Sequence, residues 1–167
     1  MFFDKEFEFI GRHATYCRFL KEGIGAFKTY KDIYAISAII GFINGKRADR
    51  DTKKEDGKTV QPASILPGEM QNIRPRLAFV YRLMMLLEPI ENGDLKMYQD
   101  RTFRDDADYE KHPERLKANL QLFNSYVLGG IEILYDMFKE CKTKKDAVNV
   151  LSEYLFDFYE DNALLPE

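Results

Sequence analysis

Residues 27 to 47 read FKTYKDIYAISAIIGFINGKR, and this stretch decides the fold class. Thr29 precedes an apolar run and Asp32 follows three residues later. A hydroxyl at the cap accepts from free backbone amides, and an acid in the first turn sits at the positive end of the helix dipole. Asn44-Gly45 supplies residues that tolerate the left-handed conformation of a helix end, so the spacing predicts a helix from about Tyr30 to Asn44. Ile33, Tyr34, Ile36, Ile39, Ile40, Phe42 and Ile43 wrap most of its circumference, which predicts a helix surrounded by other elements at the centre of the fold.

Working outward, residues 4 to 20 carry Phe7, Ile10, Ala14 and Cys17 at steps of three and four, the period of a first helix, which Gly23 and Gly25 end. After the second helix, Lys46 to Gly57 is mixed in charge with no apolar period and reads as a long solvated loop. Thr59-Val60-Gln61 offers a short extended segment. Pro75 suits a first helical turn, where its missing amide is no loss, so a third helix is expected over Pro75 to Glu88 with Pro89 as its stop. Leu95 to Phe103 is expected to form a short amphipathic helix. Pro113 opens a fourth helix bearing Leu116, Leu120, Phe123, Val127, Ile131, Leu134 and Phe138, in which Gly129-Gly130 marks a close helix contact or a kink. Thr143 and Asp146 repeat the capping arrangement before a fifth helix, Lys144 to Asp161. The expected fold is all-α, a compact bundle of about five helices forming a single domain over residues 1–167.

Composition agrees with a packed core. Of 167 residues, 45% are apolar and 32% charged, with 13 Phe and 10 Tyr, far from the profile of a disordered chain. Cys17 and Cys141 form no Cys-x-x-Cys pair, which fits a reducing cytoplasm. The N-terminus lacks the basic start and apolar stretch of a signal peptide. Leu77 to Leu87, interrupted by Arg82, falls short of the roughly 20 residues that span a bilayer and reads as a core helix, so no membrane association is expected. A net charge of −3 argues against a surface that tracks phosphates throughout.

Candidate chemistry is sparse. His13 stands four residues before Cys17, but a helical pair is half a zinc site and no second pair accompanies it. Asp105, Asp106, Asp108, Glu110 and His112 lack the central glycine and terminal glutamate of a calcium loop and read as a solvated connection; a metal-dependent hydrolase there is the weakest of three functional readings. No phosphate-binding glycine loop and no nucleophile elbow occurs, so neither catalysis, metal nor cofactor is expected. Lys46, Arg47, Arg50, Lys53 and Lys54 form the densest basic segment, offset by Asp49, Asp51, Glu55 and Asp56; DNA contact through Arg47 and Arg50 is the alternative to a solvated loop. In the last helix Tyr154, Leu155, Phe156, Phe158 and Tyr159 are apolar around too much of the circumference for one-sided burial. Tyr154, Phe158 and Tyr159 are therefore the candidate contacts for a protein partner or a second copy of the chain.

Two segments carry a family resemblance: Phe27 to Arg47, and Leu122-Phe123-Asn124-Ser125-Tyr126-Val127-Leu128-Gly129-Gly130-Ile131-Glu132-Ile133-Leu134. In order and in the apolar helix between them they resemble the bacterial DNA phosphorothioation-associated protein 4 family, which accompanies Dnd-type modification and restriction systems. The resemblance covers about half the chain; residues 4–20, 98–113 and the last helix depart from it. It implies a DNA-modification or anti-phage setting and supplies no catalytic residues. Together these readings lead to a cytoplasmic, non-enzymatic accessory protein that binds a partner from the same system, with a DNA-binding regulator as the alternative.

Overall fold

The computed structural model describes residues 3–55, 57–104 and 113–162, the last without its side chain. In chain order these hold β1 (Phe7–Phe9), α1 (Arg12–Arg18), a π-helical turn (Phe19–Gly23), α2 (Tyr30–Ile43), β2 (Lys54–Glu55), β3 (Lys58–Thr59), β4 (Ala63–Ile65), α3 (Pro67–Leu87), α4 (Leu95–Gln99), a second π-helical turn (Asp100–Arg104), α5 (Pro113–Phe138) and α6 (Lys144–Asn162). The fold is mainly helical, and the two sheets are minimal antiparallel pairs, β1 with β4 and β2 with β3.

The most extensive helix contact joins α2 to α5. Thr29 caps α2 by accepting from the Asp32 amide, and Asn44 and Gly45 close it, the glycine at φ +60°, so this helix has the bounds its sequence predicts. The two helices cross where each lacks a side chain. A Cβ on Gly41 would run into the Tyr126 carbonyl, and one on Gly130 into the Ser37 carbonyl. The glycine pair of α5 thus serves close approach.

The packing of α2 is one-sided, contrary to the expectation of a helix enclosed on all sides. Ile33, Tyr34, Ser37, Ala38 and Gly41 are buried, whereas Ile36, Ile39 and Ile43 line an exposed stripe. The buried residues form the face toward α5, and no other described element covers the Ile36, Ile39 and Ile43 side.

At the N-terminus a strand replaces the first half of the expected helix. Phe7–Phe9 pairs with Ala63–Ile65 in the register Phe7↔Ile65, Glu8↔Ser64, Phe9↔Ala63. Phe7 and Phe9 meet Tyr34 at ring-centroid separations of 4.8 and 6.3 Å. Phe3, Tyr34, Tyr81 and Phe123 form an aromatic cluster at centroid distances of 5.3 to 6.4 Å. Tyr16 stacks on Tyr135 at 3.8 Å and fastens α1 to α5.

The third helix begins eight residues earlier than expected, at Pro67 in place of Pro75. Glu69 accepts from the Leu66 amide at 3.1 Å and supports this earlier start. Pro75 lies inside the helix, where it removes one backbone bond. Both Pro75 and Gln71, whose carbonyl loses that partner, are exposed. The proline thus sits on the solvent-facing side of the helix. Of the described residues, none lies in a helix long and apolar enough to cross a membrane.

Candidate functional site

The last helix starts from a local device. The Thr143 hydroxyl accepts from the Asp146 amide at 3.2 Å, while the Asp146 carboxylate accepts from the amides of Lys142 and Thr143 at 3.1 and 2.9 Å. The bond to Thr143 and these amides hold the Asp146 carboxyl below its usual range. From this anchor α6 touches the body through Ala147, Val150 and Tyr154 alone among its apolar residues that are buried or half-buried. The Tyr154 hydroxyl accepts from Asn44 Nδ2 at 3.3 Å, at the end of α2. Val148, Leu151, Leu155, Phe156, Phe158 and Tyr159 are 40–68% exposed. Of the three predicted contact residues, Phe158 and Tyr159 are 44% and 68% exposed and Tyr154 is half-buried and seats the helix.

A second apolar stripe lies on α3. Phe79, Leu83, Leu86 and Leu87 recur at helical spacing and are 40–69% exposed, although the sequence from Leu77 to Leu87 reads as core. The core side of this helix is taken by Leu77, Tyr81, Met84 and Met85. Two interleaved apolar stripes cannot be told from one broad buried face by composition, which is why the exposed one went unread. Leu95, Met97 and Phe103, on α4 and the turn after it, are also exposed. Arg101 fastens that segment to α3 by donating to the carbonyls of Met85 and Glu88.

The basic segment is not a solvated loop in its first half. Lys46 Nζ lies 3.2 Å from Glu132, Arg47 pairs with Glu88 and covers the Tyr126 ring at 4.8 Å, and Arg50 donates to the Glu8 carbonyl at 3.3 Å. The Ala48 amide donates to the Ser125 carbonyl at 2.9 Å. Gly129 admits this close backbone, because a Cβ there would meet the Lys46 carbonyl. Beyond it Asp51 accepts from the Arg12 amide at 2.8 Å, capping α1. Lys53 and Lys54 stand exposed, at the turn into β2 and on that strand. Three of the five cations proposed for DNA thus have partners within the chain.

Glu88 is itself buried, with Tyr126 donating to it at 2.6 Å as well as Arg47 pairing with it. Burial and the bond to Glu88 push the Tyr126 phenol up. Glu132 gathers a further cluster: Arg12 Nη2 at 2.8 Å, Lys46 at 3.2 Å and His13 Nε2 at 3.5 Å. His13 and Cys17 are both buried in α1, and burial pushes the Cys17 thiol up. Among the described residues no three His, Cys, Asp or Glu side chains converge to hold a metal ion. The Asp105 to His112 cluster lies outside the described residues.

His13 makes stability depend on pH. Burial lowers its folded pKa below the ordinary 6.5, against the opposing pull of Glu132. A depressed histidine contributes stability that is complete above the unfolded value and is lost as pH falls through and below it, because the unfolded chain then binds the proton first. Thermal unfolding is expected to show a constant Tm from pH 8 to 7 and a decline below about pH 6.5, where the unfolded chain takes up the proton first. His13→Gln should flatten the decline between pH 6.5 and 5.5. An equal slope in that variant would assign the effect elsewhere.

The chain matches no family model, no curated protein and no solved structure.

Proposed function

We propose that this chain is a non-enzymatic accessory protein that works by protein–protein contact, in the cytoplasm, within a bacterial DNA-modification or anti-phage system. The observation that carries the contact reading is the pair of exposed apolar stripes, on α3 and α6. Scattered surface apolar residues need no explanation, but aligned stripes of four or more are what partner helices and grooves cover. The setting rests on the resemblance of residues 27–47 and 122–134 to the phosphorothioation-associated family. The DNA-binding reading draws less support, because Lys46, Arg47 and Arg50 are engaged by Glu132, Glu88 and the Glu8 carbonyl.

The test is co-purification and direct titration against the products of neighbouring genes. One of them should be retained, and Phe79→Glu with Leu83→Glu should weaken its binding by roughly 100-fold or more, the scale of losing an apolar anchor. Both positions are exposed, so the helix content of the variant should be unchanged. Failure to retain any of those products would sink the proposal.

A further inference from the structure

His13 stands where a positive charge is poorly accommodated. It is the second residue of α1 and 1% exposed, and neither ring nitrogen has a hydrogen-bond partner among the described residues. A cation in a first turn sits at the positive end of the helix dipole, and Arg12 precedes it. The carboxylate beside it, Glu132 of α5, lies 3.5 Å from Nε2. That same oxygen already takes Arg12 Nη2 at 2.8 Å, and the other takes Lys46, just past α2, at 3.2 Å. Asp51 also attracts an imidazolium, but its carboxylate is engaged by the amides of Arg12 and Thr52. The Tyr16 ring meets the imidazole edge-on at 6.3 Å and is stacked on Tyr135. A protonated His13 therefore finds no unengaged acceptor among the groups around it, and reaching water stabilises it.

Little has to move for that. Gly11, at φ +57°, has no side chain to cap α1, so the cap comes from outside, with Asp51 accepting from the Arg12 amide at 2.8 Å. One turn on, Thr15 donates to Glu55 of β2 at 2.7 Å. A Cβ on Gly11 would strike the Thr52 carbonyl, so the two backbones lie directly against each other. The first turn of α1 and residues 51–55 thus support one another through exposed polar bonds, whereas Ala14, Cys17 and Leu20 fix the remainder in the core. A helix end held in this way opens at lower cost than a packed core.

We propose that His13 is an acid-sensitive latch, whose protonation unfastens the first turn of α1 from residues 51–55 while the other helices stay folded. Burial lowers the folded pKa of His13 below the ordinary 6.5, so the opened form takes up the proton first and opening grows as pH falls below that value. At about pH 5.5, one unit lower, the opened population rises by up to roughly tenfold. The latch is independent of the contact reading above, and either can fail without the other.

Amide exchange of the full chain, followed by NMR at about pH 7.5 and 5.5 and corrected for the intrinsic pH dependence of exchange, tests it. The amides of Arg12, Ala14 and Thr15 should exchange through an opening more populated than that of the α2 and α5 amides by roughly 100-fold or more at both pH values. Their protection should fall by up to roughly tenfold at the lower pH. His13→Gln should cancel this fall, and His112→Gln, at the other histidine of the chain, should keep it. In the His112→Gln chain the remaining imidazole should titrate below 6.5, a reading that holds even where His13→Gln fails to fold. A first turn protected as strongly as α5, a response retained in His13→Gln, or a His13 titration at or above 6.5 would each overturn the latch.

Discussion

Replacing Gly130 with alanine is expected to cost about 3 kcal/mol of stability, although alanine is the better helix former by about 1 kcal/mol. The sign is decided by what the methyl meets. Its Cβ would stand against the Ser37 carbonyl and the Gly41 amide nitrogen, both backbone atoms of α2, which cannot rotate aside as a side chain can. Relief requires the helices to part, and that loosens the largest helix contact in the fold. For a domain of this size a loss of about 3 kcal/mol lowers Tm by roughly 10 °C. Gly41→Ala meets the Tyr126 carbonyl and should behave alike. The double variant should cost less than the sum, since one separation relieves both contacts. Gly68 in α3 has nothing within 4 Å of its would-be Cβ, so Gly68→Ala should show no loss. Urea unfolding of the four variants checks the series, and a neutral Gly130→Ala would refute the close crossing.

Phe123→Ala should be of comparable or larger effect, about 3–5 kcal/mol. Phe123 is fully buried, and its ring lies 5.3 Å from that of Phe3 and 5.9 Å from those of Tyr34 and Tyr81. It therefore ties the N-terminal segment, α2 and α3 to α5 at one point. Truncation removes the buried area and also leaves a cavity walled by rigid rings, which collapse poorly. Phe123→Leu, which retains most of the volume, should lose distinctly less. Equal losses for Ala and Leu would mean that the aromatic contacts, and not the filled volume, carry the energy.

Much of the helical layout is written in local signals. Thr29 with Asp32 and Asn44 with Gly45 bound α2, and Thr143 with Asp146 starts α6, because capping is chemistry between residues three or four apart. The surplus of apolar side chains on α6 was readable for the same reason. The β1–β4 pairing was not, since Phe9 and Ala63 lie far apart in sequence and no local signal links them. Nor was the start of α3 at Pro67: Pro75 looks like a helix start, and only the structure places it inside the helix, on its exposed side. The basic segment read as solvated because the partners of Lys46, Arg47 and Arg50 lie on β1, at the C-terminal end of α3 and on α5, far away in sequence.

What the sequence by itself determined is which segments are helical, where several of them begin and end, and that α6 carries more apolar surface than one face can bury. Only the tertiary structure decided which apolar residues stay in solvent. On α2, Ser37, Ala38 and Gly41 turn inward against α5 and Ile36, Ile39 and Ile43 stay outside, and Tyr81 and Met84 rather than Phe79 and Leu83 turn inward on α3. Burial belongs to pairs of surfaces, and periodicity along a chain reports only one member of each pair.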